Sequence, residues 1–140
     1  GDSQLEDKIL ILSQHLLFKL PVELKNNIRN ILFDVLSKHP NYQVIIKRHP
    51  SHIGRVSEEE KWLTDCDLVS SSIPAEELVY KMRPRLIVSV CGSSVFLDDK
   101  ISRMGIGRIA VGTELLVEEG FAELEPFIKL YKSKGVCLEY

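Results

Sequence analysis

The apolar positions of this chain follow two different spacings. Residues 8–13 (KILILS) form a short, unbroken apolar run of the kind a strand buried on both faces requires. Between 21 and 38, Val22, Leu24, Ile28, Ile31, Leu32, Val35 and Leu36 instead recur every three or four residues. They follow a proline suited to a first helical turn, which predicts an amphipathic helix. His39, Pro40 and Asn41 break that pattern, and 42–47 (YQVIIK) returns to a β-branched run that stops abruptly at Arg48, His49 and Pro50.

The alternation continues down the chain. A polar stretch carries a short helix at 57–61, 67–70 (DLVS) makes a brief strand, and 74–81 starts a helix at Pro74 with Glu76 and Glu77 in its first turn. Residues 85–90 (RLIVSV) form the next strand, 91–94 a turn, 95–104 a helix and 108–111 (RIAV) a further strand. A last helical pattern at 122–132 places Leu124, Phe127, Ile128 and Tyr131 on one face, directed at the sheet. This order predicts an α/β fold, a single Rossmann-like domain with a doubly wound parallel sheet and right-handed crossovers.

Composition narrows the picture without changing it. With 140 residues, 44% hydrophobic, the chain is long enough for one domain with a full core. A formal charge of −2 gives no general attraction to nucleic acid or to an anionic membrane, so an anion must be held by a local site. The three cysteines, Cys66, Cys91 and Cys137, are far apart and include no CxxC pair, which argues against a disulfide framework or a zinc site and for a reducing, cytoplasmic setting. No apolar stretch approaches the ~20 residues of a spanning helix, and Gly1, Asp2 and Ser3 read as a leftover tag rather than a signal peptide. The expectation is a soluble domain cut from a longer protein.

In open α/β sheets ligands bind beyond the carboxyl ends of the strands, so residues just after each strand carry the chemistry. Three loops qualify. Lys47, Arg48, His49 and Pro50 set two cations and an imidazole at a strand end, with Pro50 keeping His49 out of helical geometry; the imidazole suits a phosphate as hydrogen-bond donor or proton donor. Gly92, Ser93 and Ser94 follow another strand. Gly92 permits close backbone approach and the two hydroxyls are donors, a phosphate cradle, although an ordinary helix cap by Ser93 or Ser94 has the same spelling. Glu76 or Glu77, at a helix start, can accept from the hydroxyls of a ribose or simply answer the helix dipole. The acids Asp65 and Asp67 have DxD spelling but precede a strand, and Gly105 and Gly107 lie between helix and strand, so neither pair belongs to this group. Gln14 and His15 border the first strand's end, while His39 and His52 are read as loop residues.

Taken together, a strand ending in Lys47, Arg48, His49 and Pro50, then Ile73 to Glu77, then a strand ending in Gly92, Ser93 and Ser94, resembles the carboxyl-terminal domain of bacterial GT-B sialyltransferases and polysialyltransferases. The intervals, 27 residues from His49 to Glu76 and 17 from Glu76 to Ser93, each allow one helical crossover. The resemblance covers roughly residues 8–112. It implies that His49, followed by Pro50, and Ser93 with Ser94 contact the phosphate of CMP-sialic acid. It assigns the cytidine ribose to Glu76, with Glu77 as the competing choice.

The function implied is donor binding for an inverting transfer of sialic acid to a glycan acceptor, with His49 as acid, no metal and no cofactor. An amino-terminal domain carrying the acceptor's base is also implied, and residues 1–140 leave no room for it. The fragment alone is therefore expected to be inactive. It is also expected to sit in the cytoplasm, peripherally at the inner membrane in the full-length protein, and to bind no nucleic acid. The cleft left without its partner domain offers a surface for homodimerisation. Two other readings stay open: a GT-B domain for a different donor, a UDP-sugar or CDP-glycerol, and a non-catalytic nucleotide-binding or interaction domain.

Overall fold

The computed structural model describes residues 4–51, 55–69, 72–91 and 94–140. Six strands, β1 (Glu6–Leu12), β2 (Gln43–Lys47), β3 (Asp67–Val69), β4 (Pro84–Ser89), β5 (Gly107–Val111) and β6 (Cys137–Glu139), form one sheet in the order β3-β2-β1-β4-β5-β6. Every neighbouring pair is parallel. The strand order reverses at β1, which lies between β2 and β4, so the chain winds outward first one way and then the other. This is the doubly wound Rossmann-like sheet that the alternating pattern predicts.

The pleat divides the core in two. Ile9 and Ile11 of β1 pack on one face with Leu24, Ile28, Leu32 and Val35 of helix α1 (Val22–Ser37). Leu10 and Leu12 pack on the other, with Leu78, Val79 and Met82 of α3 (Ala75–Met82), then Phe96, Ile101 and Tyr131. Successive side chains of a strand point to opposite faces, so a run buried on both sides must be apolar throughout, which is why 8–13 shows no alternation. The α1 stripe is spaced by four, four and three residues. Each such side chain taken fully out of water contributes about 1.5–3 kcal/mol, far more than helix propensity supplies.

Helix α2 (Glu58–Trp62) links β2 to β3. Beyond β4 the structure departs from the sequence reading. The helix expected at 95–104 is two, α4 (Ser94–Leu97) and α5 (Asp99–Arg103). Asp98 adopts extended backbone between them, and its carboxylate accepts from the N–H groups of Lys100 and Ile101, starting a new helix where one turn had already ended. Helix α6 (Thr113–Glu118) and strand β6 were not expected. In α7 (Glu125–Ser133) Tyr131 is fully buried, whereas Phe127 and Leu130 stay exposed, so only part of the expected apolar face packs.

Two devices join these late elements. Gly112, at φ +81°, turns the chain from β5 into α6, and its N–H donates to the Glu139 carbonyl at 2.8 Å. The buried Arg108 guanidinium donates to the carbonyls of Phe96 (2.6 Å) and Lys134 (2.5 Å), tying the ends of α4 and α7 to β5. Among the described residues no helix is long and apolar enough to cross a membrane. Cys66, Cys91 and Cys137 are all free thiols.

Candidate functional site

Three central strands end level with one another. Leu12 is the partner of Lys47 in β2 and of Ser89 in β4, so the loops after β1, β2 and β4 leave from one rung of the sheet. Ser13, buried just past β1, stitches the first two loops together. Its N–H donates to the Lys47 carbonyl at 3.0 Å, and its Oγ accepts the N–H of His49 at 3.1 Å. In the loop after β1, Gln14 reaches toward β4 and donates from Nε2 to Ser89 Oγ at 3.1 Å.

Between these loops and the start of α3 lies a cleft of about 460 Å³. Lys47 lines it from the end of β2, Arg48 and His49 from the loop that follows, the apolar Ile73–Pro74 pair and Glu76 from the approach to α3 and its first turn, and Ser94 from the start of α4. Pro50 closes the His49 side. Its size and its mostly apolar wall with a few converging polar groups are those of a small-ligand site. Residues 27 and 18 positions apart, His49, Glu76 and Ser94, thus meet around one volume. Gly92 and Ser93, the other two expected donor-binding residues, lie outside the described residues.

The His49 ring is oriented by its own loop. The Ser51 N–H donates to Nδ1 at 3.1 Å, with Ser51 Oγ also 2.7 Å away, which places the ring proton of the neutral form on Nε2. Burial, with smaller contributions from His15 and Lys47, holds the His49 pKa below its usual value, so the ring is neutral at neutral pH. An anion entering the cleft acts in the opposite direction and favours the protonated ring.

The structure separates the two cations that the sequence left equivalent. Arg48 is clamped by Glu60 through two hydrogen bonds of 2.7 Å each, from Nε and Nη2. Glu60 is itself the far end of a capping box on α2, accepting from the Ser57 N–H (2.9 Å) and hydroxyl (2.7 Å). The Arg48 hydrogen bonds are the largest cause of a Glu60 pKa pushed down to about 2. Arg48 therefore forms wall, with its charge committed. Lys47, the last residue of β2, is only 5% exposed; burial lowers its pKa and the nearby Glu76 charge partly restores it. It is the cation set inside the cleft. Both residues border the cleft because Arg48 lies past the end of β2, where strand alternation no longer applies.

The two glutamates at the start of α3 also part. Glu77 faces outward and pairs with Lys81 at 3.1 Å, while Glu76 lines the cleft and accepts the Ser94 hydroxyl at 2.6 Å. Asp65 and Asp67 border a separate hollow at the amino-terminal ends of β2 and β3, away from the cleft, where Asp67 accepts from the Gln43 side chain. Among the described residues no three His, Cys, Asp or Glu side chains cluster as a metal would require. His39 stacks on Tyr42 outside the cleft, and Gly105, at φ +80°, ends the segment after α5.

Sequence reasoning missed the support beneath the cleft. All three successive acids of α2 are engaged. Glu58 pairs with Lys25 of α1 at 3.2 Å, Glu59 accepts the Gln14 N–H at 3.3 Å, and Glu60 holds Arg48. One short helix thereby braces the loops after β1 and β2. The S-x-x-E spelling of Ser57 and Glu60 was the available signal.

No curated protein sequence matches the chain. A solved structure that does match is UDP-GlcNAc 2-epimerase from Neisseria meningitidis bound to UDP-GlcNAc, with 15% identity, a TM-score of 0.47 and coverage of 96% of this chain. The chain spans 40% of that protein's chain. The family model for alpha-2,8-polysialyltransferase (POLYST) matches residues 2–104, which take in β1 through α5 and every cleft residue named above. The match over residues 2–104 covers most of the chain, and this Rossmann-like domain belongs to the alpha-2,8-polysialyltransferase family.

Proposed function

We propose that the cleft binds the CMP portion of CMP-sialic acid, and that the chain is the donor half of a GT-B enzyme transferring sialic acid to a glycan hydroxyl with inversion. The observation that carries this reading is the convergence of His49, Glu76 and Ser94, from three separate crossovers, on one cleft at the strand ends. The family match over residues 2–104 supports the choice of donor.

In this reading the ribose hydroxyls donate to Glu76 and the phosphate lies toward His49, Ser94 and Lys47. As the glycosidic C–O bond breaks, its electron pair passes to the phosphate oxygen, and the acceptor oxygen bonds to the anomeric carbon from the opposite face. The Nε2–H of His49 and the Lys47 ammonium meet the growing charge on the leaving phosphate, where donors fixed in advance and away from bulk water are most effective. The base that takes the acceptor's proton belongs, as the resemblance implies, to an amino-terminal domain.

An amide chemical-shift titration of this chain with CMP, and with UMP and CDP as controls, tests the proposal. The expected result is CMP-selective shifts at Lys47 to Pro50, Glu76 and Ser94, with an affinity about tenfold weaker in His49→Ala, the worth of one hydrogen bond to a charged group. Equal response to UMP would assign the cleft to another donor class. Silence from all three nucleotides would reject a donor site formed within this half.

A further inference from the structure

The hydrogen bond between Glu76 and Ser94 bears on how such a ligand is recognised. A carboxylate offers only acceptors, so the hydrogen in the 2.6 Å contact is the one that Ser94 owns. While Glu76 holds it, Ser94 can present an incoming phosphate only with lone pairs. A phosphate oxygen is also an acceptor, and two acceptors facing each other repel. The residue suited to the ribose therefore blocks the residue suited to the phosphate. Glu76 is the group that can lift the block, because vicinal ribose hydroxyls supply the donors that replace the one it gives up.

We infer that ribose and phosphate recognition are coupled in this cleft through a single hydrogen, which Ser94 gives to Glu76 until ribose hydroxyls take its place and then gives to the phosphate. The inference rests on the nucleotide-binding reading above and adds a selection rule to it. A free phosphate meets a site turned against it, whereas a nucleotide carries the means to open that site. Lys47 lines the same cleft as both partners, and its ammonium feels the Glu76 charge, so a phosphate drawn toward Lys47 also competes with Glu76 for position.

The test uses the 140-residue chain, its Glu76→Ala, Ser94→Ala and doubly substituted forms, and three probes: inorganic phosphate, CMP and 2′,3′-dideoxy-CMP. Both substitutions fall at partly or fully exposed positions, and unchanged amide spectra outside the cleft verify folding. Glu76→Ala is expected to bind inorganic phosphate about tenfold more tightly than the unaltered chain, the worth of one charge-assisted hydrogen bond, and to lose its preference for CMP over the dideoxy nucleotide. Adding Ser94→Ala should erase the gain for phosphate.

A gain that persists in the double form would trace to lost negative charge alone and would overturn the exchange, as would no gain in Glu76→Ala. CMP shifts confined to the cleft, without the Ser94-dependent gain, would sink the exchange and leave the nucleotide reading standing. No CMP response in the unaltered chain would sink both.

Discussion

Glu59 supplies the sharpest test of how the site is braced. The residue is 1% exposed, Oε2 accepts the Gln14 N–H, and Oε1 is buried without a hydrogen-bond partner among the described residues. Desolvation is the chief cause of a pKa pushed up to about 8; the N–H groups of Glu59 and Gln14 pull the other way, and Glu58 and Glu60 add to the rise. The folded chain thus keeps a proton here up to about pH 8, while the unfolded chain loses it near 4.5. Between those values the folded state binds more protons, so raising the pH favours unfolding. Stability from this group is full below pH 4.5 and is lost as pH rises through about 8. At about 1.4 kcal/mol per pKa unit, the cost of holding this carboxylate ionised reaches about 4–5 kcal/mol above pH 8.

Glu59→Gln keeps the acceptor for Gln14 and removes the titration. Its buried amide donors cost about 1–2 kcal/mol. The variant should be the less stable protein at pH 5 and the more stable by about 3 kcal/mol at pH 8.5. Urea unfolding followed by circular dichroism at pH 5, 6.5, 8 and 8.5 reads the difference directly. Parallel stability curves for the two proteins across that range would refute the reasoning and place the Glu59 carboxyl in contact with water.

Two further perturbations probe other joints. Arg48→Ala removes both hydrogen bonds to Glu60 and should lower stability by about 2 kcal/mol at pH 7. The Glu60 carboxylate contributes stability above pH 4.5 that is lost as pH falls through about 2, so acid titration of Arg48→Ala should show this loss reduced; an unchanged acid limb would count against the clamp. Gly112→Ala puts a side chain on a φ of +81° and a methyl 3.0 Å from Ile28 Cγ1, and a loss of about 2 kcal/mol in urea unfolding is expected, with an unaffected midpoint as the contrary result.

Much of this architecture is legible in the order of residues, for a reason visible in β1. A strand buried on both faces cannot hide its character, and 8–13 and 85–90 could be read as strands without any partner in view. β6 could not, because Cys137–Glu139 is three residues long and none of them is fully buried. Likewise Asp98 reads as one more polar position in a helix until its carboxylate is seen capping the next one. At the cleft, His49 and Ser94 are recognisable as groups following strands. The division of labour between Lys47 and Arg48 is not, since it depends on a carboxylate twelve residues on that is positioned by Ser57. Three consecutive glutamates look like solvated surface, and only the packing of α2 beneath the loops shows that Glu58 and Glu59 are buried.

The common rung formed by Leu12, Lys47 and Ser89 has a further consequence. A parallel ladder can slip only by whole residues, each about 3.3 Å along the strand, and a slip of one also turns every side chain to the opposite face. Misalignment of these loops is therefore stepwise rather than gradual. A β1 out of register by a single residue would carry Ser13 away from both the Lys47 carbonyl and the His49 N–H at once, while exchanging Ile9 and Ile11 for Leu10 and Leu12 in the two cores. The same ladder that closes the sheet acts as an error check on the cleft: a chain that has packed its core correctly has already brought its three loops level.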